Sequence, residues 1–87
     1  MSLVITDCNN PGNSRENRIY MGRLSSNALN SPSATEYGML FGIYIDTVRY
    51  GVQMVITMSS IPQIYTRGLI NETWGNWVEK ENVKLFL

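Results

Sequence analysis

From Tyr37 to Met58 the chain changes character at every second residue. Met39, Phe41, Ile43 and Ile45 fall on one face of an extended segment, with Gly38, Leu40, Gly42 and Tyr44 on the other. After Thr47-Val48-Arg49, a second set repeats the pattern. Tyr50, Val52, Met54, Ile56 and Met58 alternate against Gly51, Gln53, Val55 and Thr57. Successive side chains of a strand point to opposite faces, so this period of two predicts two half-buried strands, Tyr37–Asp46 and Tyr50–Met58. No stretch of eleven or more residues keeps the three-and-four apolar spacing of a helix.

The remaining segments extend the same theme. Arg18 to Leu24 predicts a short strand centred on Ile19-Tyr20-Met21, preceded by a run of turn formers over residues 7 to 17. Ser25 to Thr35 is polar, contains Pro32, and is expected to be a long loop. Ser59-Ser60-Ile61-Pro62 ends the second alternating strand. Gln63–Ile70 and Thr73–Val78 flank Asn71-Glu72 and read as a closing β-hairpin. Trp74 and Trp77 lie three apart, so in one regular strand they point to opposite faces, one ring to the core and one to an interface or the surface. The tail from Lys80 is charged and then apolar, a short strand or an ordered end. The expected fold is all-β, a small antiparallel sheet or β-sandwich of four to six strands.

Composition limits what this fold can do alone. Eighty-seven residues make one domain, 1–87, and a core of this size is marginal. There is one cysteine and no histidine, so no intrachain disulfide forms and a structural zinc site is not expected. Association with other subunits is the remaining aid. Formal net charge is zero, which leaves no electrostatic footprint for nucleic acid. Charged residues are 16% of the chain, against about 25% in an average soluble domain, as suits a chain that associates. No signal peptide or membrane segment is evident. Met1-Ser2-Leu3 reads as a cloning scar on one excised module of a longer chain.

The order of these pieces resembles the knob modules of phage tail fibres and R-type pyocin tail fibres. Asp7-Cys8-Asn9, Ile19-Tyr20, Asn30-Ser31-Pro32, the strands from Tyr37 to Met58, and Gln63 to Trp77 follow each other as in that family. Its usual ending is Tyr-x-Arg, then Asn-Gly-x-Trp and a second Trp, matched here by Tyr65, Arg67, Asn71, Trp74 and Trp77. The chain departs from it in having Arg18-Ile19 where Gly is usual before Tyr20. It also has Asn71-Glu72 where Asn-Gly is usual, for which a type I turn with a bulge is expected. The resemblance implies a trimeric, non-enzymatic structural module of a phage or prophage fibre or baseplate. Such a module is made in the bacterial cytoplasm, carried on the virion tail or a phage-like particle, joined to other fibre segments, and active in host attachment.

Catalytic readings find little support. Cys8 and the serines have no imidazole base, and no motif supports a Ser–Lys pair with Lys80 or Lys84. Asp46 and Glu36 are the carboxylates nearest the central strands, but turn solvation explains them more simply than a glycosidase pair. No cofactor or metal is implied, and no membrane insertion. The candidates for recognition are Asn27, Asn30, Ser31 and Ser33 in the long loop and Arg49 in the turn, against the plainer reading of a passive solvated loop. The small amides and hydroxyls suit sugar hydroxyls, and Arg49 suits an acidic sugar or wall-polymer phosphate on a host surface. Tyr65, Trp74 and Trp77 are assigned to core or interface. The alternative is an accessory carbohydrate-binding module of a phage or cell-wall enzyme, which a flat exposed aromatic platform would mark.

Overall fold

The structure is a computed structural model, and it describes residues 4–11, 19–32, 37–46 and 49–80. Among the described residues seven strands follow in chain order: β1 Val4–Asp7, β2 Ile19–Leu29, β3 Gly38–Asp46, β4 Tyr50–Thr57, β5 Ile64–Ile70, β6 Thr73–Trp74 and β7 Val78–Lys80. The all-β expectation holds, and the two strands predicted from alternation lie within a residue of their expected ends. The strands form one sheet in the order β1-β2-β3-β4-β5-β6, with β7 pairing β5 beside β6. The closing segment divides into β6 and β7, so the strand count exceeds the expected four to six. One pair is parallel: β1 runs alongside β2, with Val4 opposite Arg23 and Ile5 opposite Leu24. That pairing has no local signal in the sequence, because four residues beside a turn-rich run carry too short a pattern.

A second correction concerns the long polar loop. β2 continues through Ser25 to Leu29, so most of the expected loop is strand. Between Ile5 and Asp7 the pairing with β2 jumps from Leu24 to Leu29. Asn27 takes up the distortion with a φ of 64°, a conformation that asparagine tolerates better than most residues. Ser33 to Glu36, Thr47 and Val48, and the tail beyond Lys80 lie outside the described residues.

The core sits on one face of the sheet. Tyr20, Leu24, Leu40, Tyr44, Val55, Tyr65 and Leu69 line it, and Ile5, Cys8 and Ala28 cover them. Gly42 makes this packing possible. It stands directly opposite Tyr20 on β2 and Gln53 on β4. A Cβ there would lie 2.1 Å from the Tyr20 ring, so only glycine lets that ring cross β3. Tyr20 then packs against Tyr44 with ring centroids 5.3 Å apart.

The opposite face holds the more apolar half of the alternation. Ile19 pairs Ile43, which pairs Val52; Met21 pairs Phe41, which pairs Met54. These side chains point away from the core, and Ile19, Met21 and Val52 are exposed. The buried side of β4 is instead Gly51, Gln53, Val55 and Thr57.

Candidate functional site

Arg67 is the centre of the closing hairpin, and it is buried at 8% exposure. Its position follows from register. Gln53 stands opposite Gly42 on one side and opposite Arg67 on the other, so Tyr20, Gly42, Gln53 and Arg67 form one row on the core face. Arg67 Nε donates to Gln53 Oε1 at 2.8 Å. Gln53 Nε2 donates to the Tyr20 hydroxyl at 2.9 Å and to the Cys8 carbonyl at 2.7 Å. Arg67 Nη2 donates to Asn9 Oδ1 at 2.9 Å. Every polar end of the Gln53 amide is therefore partnered, which is what permits its full burial.

Both tryptophans close on the same guanidinium. Its carbon lies 4.3 Å from the Trp74 ring centroid and 4.6 Å from that of Trp77. A cation over an indole face is attracted by the ring quadrupole, more strongly where water is excluded. The expectation of opposite-facing rings is thus corrected. Residues 75–77 leave the strand after β6, with Gly75 N donating to Gly68 O at 2.8 Å, so the two-residue period does not connect Trp74 with Trp77. Neither ring is fully buried; both are half-buried against the core. Trp77 Nε1 also donates to the Asn30 carbonyl at 2.8 Å, tying the hairpin to the end of β2. Tyr65 lies in the core and its hydroxyl donates to Gln63 Oε1 at 3.0 Å.

The turn of the hairpin also departs from expectation. Asn71 and Glu72 both have positive φ, 49° and 69°, between the paired residues Ile70 and Thr73. That is the left-handed pattern of a type I′ turn, which matches strand twist better than a bulged type I. Glu72 adopts it without the freedom of glycine.

The recognition candidates fall into two groups. Asn27 is exposed on β2. Asn30 has a φ of 59° and its Nδ2 donates to Asp7 Oδ1 at 2.8 Å. Ser31 Oγ donates to the Ala28 carbonyl at 2.8 Å. Asn30 and Ser31 thus brace the bend at the end of β2, besides showing polar atoms to solvent. Arg49, just before β4, braces the hairpin turn: its Nη2 donates to Asn71 Oδ1, its Nε lies 3.8 Å from Glu72 Oε1, and its carbonyl accepts from Glu72 N at 2.9 Å. Ser33 lies outside the described residues, as does Glu36 of the carboxylate pair considered above.

The sequence alone does not point to Gln53 and Asn9 as partners of Arg67, nor to Tyr20 as a partner of Gln53. Gln53 stands in the alternation as an ordinary strand residue, and no local signal marks its face as the inward one.

Electrostatics agree with a structural role for this cluster. Burial pushes the Cys8 thiol up from an ordinary 9.0 to about 11, against the lowering pull of Arg67, so it is a protonated core residue at neutral pH. Burial likewise lifts the Tyr20 hydroxyl to about 12. Desolvation lowers the Arg67 pKa, while the neighbouring Cys8, Tyr20 and Asp7 act to raise it. Among the described residues no group of three or more acidic or thiol side chains is placed to hold a metal ion, and no helix is long and apolar enough to cross a membrane. Comparison with known protein families, curated proteins and solved structures finds no match.

Proposed function

We propose that the chain is a non-enzymatic structural module of a phage or prophage tail fibre or baseplate, assembled as a homotrimer and used in host attachment. The observation that carries the reading is the Arg67 clamp. The Tyr-x-Arg to Trp to Trp motif of the resemblance becomes one closing device, with Tyr65 in the core and Arg67 held between Trp74 and Trp77. In this reading the motif is a latch on the fold, and recognition is left to exposed groups such as Asn27 and Arg49. The carbohydrate-module alternative needs aromatic faces open to a sugar. Trp74 and Trp77 spend theirs on Arg67, and Tyr37 is the exposed aromatic among the described residues.

The module acts at the virion tail, joined to other fibre segments, against a cell-surface glycan or wall polymer. The test is binding of the labelled chain to a panel of bacterial cells and purified envelope glycans. Saturable binding that weakens in Asn27→Ala or Arg49→Ala supports the attachment role. Absence of binding to every envelope removes that role and leaves a structural one.

A further inference from the structure

Among the described residues Arg67 is the one charged side chain that is buried, at 8% exposure. A charge taken out of water is ordinarily paired with an opposite charge, because neutral partners recover only part of its lost hydration. Arg67 departs from that pattern. Its Nε and Nη2 donate to the side-chain oxygens of Gln53 and Asn9, both uncharged amides. Trp74 and Trp77 offer it ring faces, again without formal charge. Desolvation is the largest influence on its charge, opposed by Cys8, Tyr20 and Asp7. Cys8 and Tyr20 titrate only at about 11 and about 12, so at neutral pH neither is an anion. Asp7 is the carboxylate that acts on Arg67, but its Oδ1 is spent on Asn9 N at 2.9 Å and on Asn30 Nδ2 at 2.8 Å. The ion pair among the described residues, Arg49 with Glu72, lies elsewhere on the surface.

The hydrogen bonds of the guanidinium are unfinished as well. It is a planar fork of N–H donors. Nε and one N–H of Nη2 are used, while Nη1 has no acceptor among the described residues. A buried donor without an acceptor carries its full desolvation cost, so such a group points to a partner from outside the chain. Asn9, the acceptor of Nη2, is itself exposed, so that end of the fork comes close to the surface.

We infer that Arg67 binds one small carboxylate, which pairs with Nη1 and the remaining N–H of Nη2 and supplies the counter-charge. Charge, shape and size each select this ligand. The site holds a cation with no paired anion, so the ligand is an anion. A carboxylate is planar and takes two N–H groups of the fork in parallel, continuing the guanidinium plane alongside both indoles. A tetrahedral phosphate would press oxygens out of that plane onto the rings. A residue only 8% exposed admits a group of a few atoms. The carboxylate comes from a free small acid or from an acidic sugar, and the chemistry that holds it is the same. The site belongs to the closing latch whether or not the module attaches to a host.

Titration calorimetry and thermal unfolding of the wild-type chain, Asn9→Asp and the surface control Arg49→Gln test this. Sodium acetate, sodium glucuronate and sodium phosphate are titrated at constant ionic strength against sodium chloride. The wild type and Arg49→Gln should bind one acetate per chain. Their Tm should rise by about 5 °C or more for each tenfold increase in acetate above its Kd. Asn9→Asp sets a carboxylate of the chain itself beside Nη2. Asn9 is exposed, so this variant should stay folded, and its affinity for acetate should fall by about tenfold or more. Glucuronate that binds as acetate does supports the inference with an acidic sugar as the source. Acetate that binds while glucuronate does not supports it with a free small acid. Phosphate that binds as tightly as acetate, a Tm indifferent to acetate, or an undiminished acetate response in Asn9→Asp overturns it.

Discussion

The two faces of this sheet use opposite chemistries for opposite ends. The core face buries an arginine, a glutamine and a tyrosine hydroxyl, and it succeeds because register brings them into one row where each finds a partner. The open face is aliphatic and aromatic and needs no such partners, but it lacks cover. The difference shows that hydrophobicity along a strand does not by itself say which side is inside. Geometric satisfaction does: a buried polar group costs little once its hydrogen bonds are made.

Substitutions on the two faces should therefore fail in different ways. The largest loss of single-chain stability is expected for Arg67→Ala. It leaves Gln53 Oε1 and Asn9 Oδ1 without their donor and removes the cation between Trp74 and Trp77. The cost should be on the order of 3 kcal/mol by urea denaturation. A change within experimental error would mean that the polar row is not what holds the core face together. Gly42→Ala should cost somewhat less, about 2 kcal/mol, because the new methyl displaces the Tyr20 ring and strains its bond with Gln53. Pairing it with Tyr20→Ala should recover part of that strain; full additivity would separate Gly42 from the row.

Much of this architecture was legible in the sequence. The two alternating strands and the closing hairpin follow from periodicity and turn residues, because those signals are local. The parallel β1–β2 pair was not legible, since it joins segments nearly twenty residues apart with only Val4 and Ile5 to mark it. The side that faces the core was also hidden. Nothing local distinguishes Gln53 as an inward residue until Arg67 is known to lie beside it. Trp74 and Trp77 misled for a related reason: spacing predicts facing only while the strand continues, and here it stops after Trp74. Of the recognition candidates, residue type alone found exposed Asn27. It could not show that Asn30 and Arg49 also serve the fold through Asp7, Trp77 and the hairpin turn.

The smallest expected effect lies at that turn, away from both faces. Glu72→Gly relieves a left-handed φ of 69° and should stabilise the chain by about 1 kcal/mol. The exposed contact with Arg49 that it removes contributes little. Thermal unfolding gives the sign. Destabilisation would show that the Glu72 side chain matters more than its backbone conformation.

The contrast between the faces is tested most directly by hydroxyl-radical footprinting of the folded chain as single subunits. Tyr20 and Met21 are neighbours on β2 that face opposite sides, Tyr20 buried and Met21 exposed. If the polar row marks the inside, Met21 labels as freely as Ile61 in the loop after β4, while Tyr20 and Leu24 are protected. Labelling of Tyr20 and Leu24 in step with Met21 would contradict the account.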